Sequence, residues 1–334
     1  MTLTTSRPAR SVPEDGTMTL RVTSIVKSGR DIRTFTFADG ARGSGCADGV
    51  PLPGFVPGSH LVVQAGPYTN AYSLVSDGTA PTEYSISVLR VADGAGGSRW
   101  MHSRLQVGDE IRVWLPRSAF PPIARATKHL LIAGGIGVTP ILSHLRAARR
   151  WHRDTQVLYT FRPENAAHVD EVTTLTDGRA ELYTVRGDFV TRLAEVLPTQ
   201  PLGTHLYVCG PGGLIDHVVD SAKAAGWPES RIHFERFGID ALDAGDPFQV
   251  HLTGSEITLD VPSGTSMLEA IEAAGVAVPN RCRQGVCGEC RIPVTAGTPI
   301  HRDLYLSAEE KNAGDAVMPC VSRAADGCTL EIPL

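Results

Sequence analysis

The stretch Arg281-Cys-Arg-Gln-Gly-Val-Cys-Gly-Glu-Cys-Arg291 decides the fold of the C-terminal part of this chain. Together with a fourth cysteine thirty residues further on, it has the C-x4-C-x2-C spacing of plant-type [2Fe–2S] ferredoxins. The alternative, a structural zinc site, more often shows two C-x2-C pairs. Gly285 and Gly288 let a tight loop point several thiolates at one small cluster. The predicted metal ligands are Cys282, Cys287, Cys290 and Cys320.

Length and composition predict a multidomain soluble protein. The chain has 334 residues, 42% of them hydrophobic, which is enough for two or three domains. A net charge of −5 disfavours nucleic acid as a partner, and no apolar run is long enough to predict a membrane span. Residues 1–17 lack the apolar segment of a secretory signal and are expected to be a disordered tail. Seven cysteines then favour metal ligation in a reducing cytoplasm over disulfides.

Short alternating apolar and polar runs characterise residues 18–124. This period of two, with Gly and Pro between the runs, is typical of antiparallel strands, and many short strands predict a β-barrel. Residues 39–54 are rich in Gly, Ala and Pro and are interpreted as a flexible insertion. The predicted strands cover residues 20–25, 33–37, 60–64, 84–89 and 110–114.

From residue 125 to 239 strands alternate with helical segments, which predicts an α/β domain with a parallel sheet. Its strands are expected at residues 129–133, 156–161, 180–185 and 205–208. Residues 240–247 are interpreted as a linker. Residues 248–334 then form an α+β module, with a hairpin at 248–252 and 256–261 followed by a helix that carries Met267, Leu268 and Ile271.

Two glycine-rich turns in the α/β domain are candidate nucleotide-binding sites. Gly134-Gly-Ile-Gly-Val-Thr-Pro140 follows a buried strand and opens a helix, although it is not the G-x-G-x-x-G fingerprint. Cys209-Gly-Pro-Gly-Gly213 ends the fourth strand, and both turns therefore lie at carboxyl ends of strands, where such sheets bind ligands. Each turn could instead be a packing device, and Cys209 a buried small hydrophobic residue.

Two segments of the barrel could contact a flat, phosphorylated ligand. Tyr72-Ser-Leu74 could present a ring and a hydroxyl group, and Gly94-Ala-Gly-Gly-Ser98 could form a nest of N–H groups for phosphate. A strand end and a hairpin loop are the simpler alternatives. His60, His102 and His301 lack metal-site spacing and are interpreted as structural.

Taken together, the order of these motifs resembles the phthalate dioxygenase reductase family of Rieske-oxygenase reductases, over residues 18–334. The resemblance implies an FMN-binding β-barrel, an NAD(H)-binding α/β domain and a C-terminal β-grasp ferredoxin. The family's R-x-Y-S motif corresponds to Asn70-Ala-Tyr-Ser73, so the usual arginine is Asn70 here and one cationic contact to the flavin is lost.

The resemblance also implies the remaining site residues. For FMN these are Tyr72, Ser73, Leu74, Ser87, Val88, Leu89, Gly96, Gly97 and Ser98. For NADH they are Gly134, Gly135, Gly137, Thr139, Pro140, Arg162, Cys209, Gly210 and Pro211. Cys209, Thr139 and Phe237 are expected to position the reactants for hydride transfer. Arg162 leaves NADPH open, because an arginine after the second strand could accept a 2′-phosphate.

The function implied is transfer of hydride from NADH to FMN, and then of single electrons through the cluster to a Rieske-type oxygenase. A flavin is required between the two because a hydride carries two electrons and the cluster accepts one. Two alternatives remain open: a self-contained reductase of a quinone or ferric chelate, and a non-enzymatic redox sensor. The sensor is disfavoured because it leaves two nucleotide-type sites without a purpose.

Overall fold

The computed structural model describes residues 17–40, 51–94, 96–118, 120–237, 245–280, 283, 285, 288–303, 305–325 and 328–334. The predicted tail before Thr17, most of the predicted insertion, and residues 238–244, which include most of the predicted linker, lie outside this described part. So do two of the four predicted metal ligands, Cys282 and Cys287.

The first domain is an antiparallel sheet of the order β4-β3-β6-β1-β2-β5, with β7 paired to β3. An isolated bridge between Leu74 and Ile86 joins the two outer strands β4 and β5, so that the sheet curls into a near-barrel. Its elements are β1 (Thr17–Lys27), β2 (Ile32–Asp39), β3 (Ser59–Ala65), β4 (Tyr68–Ser73), β5 (Glu83–Leu89), α1 (Gly97–Arg104), β6 (Glu110–Trp114) and β7 (Arg117–Ser118).

Alternating side chains fill the barrel, as the period of two predicts. Met18, Leu20 and Val22 of β1 point inward and are at most 2% exposed, while Thr19 and Arg21 between them face solvent. The five predicted strands are all found. The pattern did not reveal β4, because Tyr68-Thr-Asn-Ala-Tyr-Ser73 does not alternate in polarity, nor the short helix α1.

The second domain is a parallel five-stranded sheet of the order β10-β9-β8-β11-β12. Its strands are β8 (Lys128–Gly134), β9 (Asp154–Thr160), β10 (Glu181–Tyr183), β11 (Thr204–Cys209) and β12 (Ile232–Glu235). Its helices are α2 (Val138–Arg150), α3 (Val169–Leu175), α4 (Arg186–Val196) and α5 (Gly212–Ala224), with short 3-10 turns at Gly135–Gly137, Pro163–Asn165, Leu197–Thr199 and Glu229–Arg231.

Helices cover both faces of this sheet, which explains why its central strands are continuously apolar. In β8, Leu131 and Ala133 face the core formed with α2 and α3, whereas Leu130 and Ile132 face the core formed with α4 and α5. The strand order reverses between β8 and β11. That point is where open α/β sheets form a ligand crevice.

The barrel is held against the second domain by the segment that connects them. Side chains of the second domain bind its backbone: His144 Nε2 lies 2.8 Å from the Phe120 oxygen, and the Ile123 N–H donates to the Tyr207 hydroxyl at 2.7 Å. Phe120 itself packs into the core around α2. These contacts fix where the two domains meet.

The third domain has a mixed sheet of the order β14-β13-β19, in which β13 is antiparallel to β14 and parallel to β19. Its strands are β13 (Phe248–Leu252), β14 (Ile257–Val261), β15 (Ile292–Pro293), β16 (Pro299–Ile300), β17 (Ala316–Val317), β18 (Arg323–Ala324) and β19 (Thr329–Ile332). Its helices are α6 (Met267–Ala273), which begins with a Ser266–Glu269 capping box, and α7 (Ala308–Ala313). Of the helices in the described part of the chain, none could cross a membrane by length and apolarity.

Candidate functional site

The two glycine-rich turns meet at the reversal point of the parallel sheet. β8 and β11 are neighbours, with Ala133 opposite Cys209. A Cβ on Gly137 would lie only 2.3 Å from the Cys209 oxygen and 2.6 Å from the Gly210 nitrogen. Only glycine allows this backbone-to-backbone contact. The structure therefore brings together the two motifs that the sequence assigned to one nucleotide.

The outer side of the first turn is open to a ligand. Gly135 has a φ of 53°, and no described atom lies within 4 Å of where its Cβ would be. The turn leads into α2, a 13-residue helix whose N-terminal N–H groups and dipole favour a phosphate. Thr139 is buried, and its hydroxyl donates to the Ile136 oxygen at 3.0 Å, so it stabilises the turn.

Cys209 and Glu235 form a buried pair at the carboxyl ends of β11 and β12, where they are opposite each other in register. Burial, with a further contribution from the Glu235 charge, raises the pKa of the Cys209 thiol well above its usual value. Burial also raises the pKa of Glu235 to about 8. The thiol is therefore neutral, which suits packing and positioning rather than nucleophilic attack.

Glu235 is a site residue that the sequence reasoning missed. Its side chain is almost wholly buried, and Oε2 has no hydrogen-bond partner within the described ranges. A buried carboxyl group without a partner is costly unless a ligand completes its hydrogen bonds. The available signal was a glutamate at the carboxyl end of the short Ile232-His-Phe-Glu235 segment, two residues before Phe237, which is half-buried.

Arg162 is exposed at the carboxyl end of β9, next to the central strand β8. This position places its guanidinium on the same edge of the sheet as the two glycine turns. It is therefore available to the far end of a nucleotide bound there.

In the barrel, several side chains of β3 and β4 have buried polar atoms without hydrogen-bond partners among the described residues. Asn70 Oδ1, Ser73 Oγ and both ring nitrogens of His60 lack hydrogen bonds to any residue that the structure describes. His60 lies opposite Ser73 in register, and burial, with a smaller contribution from Arg117, lowers its pKa to about 4. Tyr72 is half-buried, and burial raises the pKa of its hydroxyl. Such orphaned groups fit a polar ring system that binds along β4.

The predicted phosphate loop is pressed against the same strand. A Cβ on Gly96, whose φ is 108°, would lie 2.6 Å from the Tyr68 ring, and one on Gly97 would lie 1.8 Å from Asn70 Oδ1. Asn70, in place of the family's arginine, thus contacts the backbone where α1 begins. Ser98 Oγ accepts a hydrogen bond from the Val91 N–H at 3.2 Å. The residues present fit a flavin phosphate at the N-terminus of α1.

Strand β5 is the barrel strand that contacts the Gly135–Gly137 turn. Val88 is buried in the barrel, whereas Leu89 packs against the core of the second domain. The Ser87 hydroxyl is 2.8 Å from Thr34 Oγ1 and 2.7 Å from His168 Nε2. Of the three residues assigned to the flavin on this strand, Ser87 thus has its hydroxyl in contacts within the protein.

In the third domain, Cys290 and Cys320 approach each other in a buried position. Their sulfur atoms are 3.3 Å apart, far longer than a disulfide bond of about 2.05 Å. Two thiolates on one tetrahedral metal at about 2.3 Å would be roughly 3.8 Å apart. The pair therefore fits shared metal ligation. Gly288, at a φ of 80°, packs its backbone under the Tyr305 ring, where a Cβ would lie 2.2 Å from that ring.

Comparison with known proteins agrees with this arrangement. Residues 250–325 match the 2Fe-2S iron-sulfur cluster binding domain, and residues 109–232 match the N-terminal domain of dimethylamine monooxygenase subunit DmmA-like proteins. The heme-dependent oxidative N-demethylase beta subunit of Ectopseudomonas mendocina (strain ymp) is 42% identical over 83% of this chain and 88% of its own length. Phthalate dioxygenase reductase of Burkholderia cepacia is 36% identical over 93% and 96%.

A solved phthalate dioxygenase reductase structure, described as a modular structure for electron transfer from pyridine nucleotides to [2Fe-2S], superposes with a TM-score of 0.71. It is 34% identical and covers 97% of this chain and all of its own. Fold and site thus define a modular electron-transfer oxidoreductase with a barrel, a nucleotide-binding domain and a C-terminal iron–sulfur domain. The chain belongs to the phthalate dioxygenase reductase family. The predicted family, fold class and type of activity are confirmed.

The contact between the two turns can be tested with Gly137→Ala. The added methyl group would meet the Cys209 carbonyl, which is backbone and cannot turn away, so the turns must separate. We expect the affinity for NADH, measured by fluorescence titration, to fall about tenfold or more, with flavin content unchanged. Gly187→Ala is the matched control, since no described atom lies within 4 Å of its added carbon. Equal affinities in both variants would contradict the assignment.

The burial of Glu235 predicts a pH-dependent stability. Its folded-state pKa of about 8 lies above its ordinary value of 4.5, so its stabilising contribution is complete below about pH 4.5 and is lost as the pH rises through about 8. Glu235→Gln cannot ionise. It should melt several degrees above the unaltered protein at pH 8.5, and the gap should close toward pH 5.

Thermal unfolding of the two proteins across this pH range measures the effect. Glu309→Gln, on the exposed side of α7, is the control and should show no pH-dependent gap. A gap of the same size at pH 5 and pH 8.5 would show that Glu235 is not titrating in this way.

Proposed function

We propose that the chain is the NADH-dependent reductase component of a multicomponent oxygenase or demethylase. When bound, NADH would give one proton and two electrons, as a hydride, to FMN, and the [2Fe–2S] cluster would pass the two electrons singly to the oxygenase. The observation that carries the proposal is the packing of β5, a strand of the flavin-type barrel, against the Gly135–Gly137 turn. A ligand on each would meet at this junction.

The protein's own residues bind and orient the reactants. The open turn and α2 would hold the nucleotide phosphates, and Arg162 would face the adenosine end. Cys209, Thr139 and Phe237 would shape the nicotinamide pocket. On the other side, Tyr72, Ser73 and the Gly96-Gly97-Ser98 loop would hold FMN. Hydride transfer needs this fixed geometry, with reacting atoms about 3–3.5 Å apart, but no acid or base from the chain.

The four predicted cysteines would hold the cluster. Cys290 and Cys320, at 3.3 Å, would share one iron. Gly285 and Gly288 have φ values of 71° and 80°, in the left-handed region that favours glycine, so they would allow the cysteine loop to turn tightly. Low-potential clusters of the plant type suit a reductase that donates to an oxygenase.

The charge distribution supports a protein acceptor. Residues 248–334 contain eleven acidic and six basic residues, so this domain accounts for the whole net charge of −5. A basic surface on the acceptor would be steered toward it, because complementary charges raise association rates. The cysteine pattern favours a reducing cytoplasm as the location.

The acceptor is proposed to be a terminal oxygenase with a Rieske centre. A heme-containing oxygenase is the second candidate, because one relative at 42% identity is the beta subunit of a heme-dependent N-demethylase. Purified protein should be assayed with NADH and each type of oxygenase. Turnover that requires an oxygenase supports the proposal. Efficient turnover with a quinone or ferric chelate alone would overturn it.

Cys290→Ser should separate the two halves of the electron path. Removing one buried thiolate should abolish the visible cluster absorbance and iron content, while FMN and NADH-driven dye reduction persist, because the flavin and nucleotide sites lie in other domains. Cys328→Ser, at a half-buried position close to the terminal strand β19, is the control and should keep the cluster. Equal loss of flavin from the Cys290 variant would refute this division of roles.

Transfer to the oxygenase should also depend on salt. Because the cluster domain carries the net negative charge, the second-order rate of acceptor reduction should fall several-fold between low and physiological ionic strength. Reduction of FMN by NADH within the protein is the internal control and should change little. An acceptor rate that is independent of salt would contradict electrostatic docking.

A further inference from the structure

His168 joins the flavin-type barrel to the nucleotide-binding domain. It lies just before α3, and its side chain is 9% exposed. The ring nitrogen Nε2 is 2.7 Å from Ser87 Oγ on β5, and Nδ1 is 2.9 Å from Glu171 Oε2 on α3. Both nitrogens are therefore hydrogen-bonded, one across the domain interface and one within the second domain.

The hydrogen-bond directions follow from the charge of Glu171. Burial alone would raise the pKa of Glu171, but the hydrogen bond from His168 and the charge of Arg146 outweigh it, so that the pKa is lowered. The carboxylate accepts a hydrogen bond from Nδ1–H, and in the tautomer that carries its proton on Nδ1 the Nε2 atom accepts a hydrogen bond from the Ser87 hydroxyl. Ser87 Oγ can in turn accept from Thr34 Oγ1 at 2.8 Å. The result is a directed chain of bonds from β2 through β5 to α3.

A second connection returns to the barrel. Glu171 forms an ion pair with Arg146 of α2, and Arg146 Nε donates to the Val75 oxygen, just after β4, at 2.8 Å. The second domain therefore contacts the barrel both on β5, through Ser87, and just after β4, through Val75. The bridge between Leu74 and Ile86 closes the barrel between these two contacts. This is the part of the barrel that carries the proposed flavin contacts.

The backbone beside His168 is tied to the nucleotide turn. The buried Tyr159 hydroxyl is 2.9 Å from the Ala167 oxygen and 3.2 Å from the Gly135 oxygen. The contacts therefore run from Gly135 through Tyr159 and Ala167 to His168, and from its ring to Ser87. They link the nucleotide turn to the flavin strand by a continuous path.

The backbone of His168 is held in an uncommon conformation. Its φ is 58°, in the left-handed region that few residues other than glycine adopt, although histidine, asparagine and aspartate do so more often than most. Such a conformation costs about 1 kcal/mol or more and persists only where the surroundings hold it. Here the ring contacts and the Ala167 carbonyl contact hold it.

We propose that His168 is a positioning residue that fixes the flavin strand relative to the nucleotide turn and so sets the hydride-transfer distance. The proposal rests on the proposed function. A displacement of about 1 Å between reactants can cost about a hundredfold in rate, so a single interdomain bond can matter at this place. His168 would act through Ser87 and the backbone at Ala167, which makes it a positioning residue.

Two substitutions of His168 separate the contact made by Nε2 from the contact made by Nδ1. His168→Asn retains an amide near the position of Nδ1 and tolerates the left-handed backbone, but it cannot reach Ser87. His168→Gln places its amide near the position of Nε2 and can still bind the Ser87 hydroxyl. If the interdomain bond is what matters, glutamine should preserve hydride transfer and asparagine should not.

The experiment measures flavin reduction by NADH in the full-length holoprotein by stopped-flow absorbance. We expect His168→Asn to slow this step about tenfold and to raise the deuterium isotope effect with NADH labelled at the transferred C4 hydrogen, while His168→Gln stays within about threefold. FMN affinity, from flavin fluorescence, and melting temperature should change little in either. Thr174→Ala, which loses only a hydrogen bond within α3, is the control.

Ser87→Ala removes the same bond from the other side. Combined with His168→Asn, it should slow flavin reduction no more than either single change, because both remove one interaction. Hydrogen exchange of the apoprotein gives a readout without cofactors: amides of β5 should exchange faster in the asparagine variant than in the glutamine variant.

Equal rates in the unaltered protein and both His168 variants would overturn the proposal. So would a slower rate matched by an equal loss of FMN affinity, since that would indicate a structural role. If the unaltered protein itself fails to transfer hydride from NADH to FMN, the proposed function fails, and the positioning role fails with it. The three outcomes can be told apart because the first is read from the rates of the variants, the second from their FMN affinity and the third from the unaltered protein.

Discussion

The backbone contact between Gly137 and the Cys209–Gly210 peptide is the constraint on which the site depends. Two strand ends can approach within a few ångströms only if one turn has no side chain there. This contact closes the floor of the crevice between β8 and β11 and leaves Gly135 facing outward. The Gly135–Gly137 turn also contacts β5 of the barrel. The position of this turn therefore sets where a nucleotide and a flavin bound to the two domains would meet.

Polar groups that are buried without partners mark both sides of this junction. Glu235 Oε2 lies on the nucleotide side, and Asn70 Oδ1, Ser73 Oγ and the His60 ring lie on the barrel side, none with a hydrogen bond to a described residue. Folded proteins rarely leave such groups unsatisfied, because each costs about 1–3 kcal/mol. A bound flavin and a bound nucleotide would supply partners for the groups on β3 and β4 and for Glu235, respectively. Burial, with a further contribution from the Glu235 charge, raises the pKa of the Cys209 thiol and keeps it neutral, which suits positioning.

The first two domains are connected by directional hydrogen bonds as well as by apolar packing, since Ile32 and Val75 of the barrel and Phe120 of the connecting segment belong to the core around α2. His144 and Tyr207 bind the connecting segment, and His168 and Arg146 bind β5 and the residue after β4. Directional bonds fix distance and orientation more tightly than apolar packing does, which suits a reaction that is sensitive to ångström displacements. The third domain carries the net negative charge of the chain. In the proposed function, recognition of the acceptor would therefore fall to this domain and hydride transfer to the other two.

Local sequence pattern by itself determined the domain order, five strands of the barrel and the parallel sheet, because alternation and glycine turns are short-range signals. The cysteine spacing is a short-range signal too, and the four ligands that it predicts stay a prediction. The local pattern missed β4, whose side chains do not alternate in polarity, and β12, a strand of four residues that carries Glu235. The roles of Glu235 and His168 were decided only by tertiary structure. Burial beside Cys209 and a bond to a residue 81 positions earlier arise from strand order and domain packing, which no local pattern encodes.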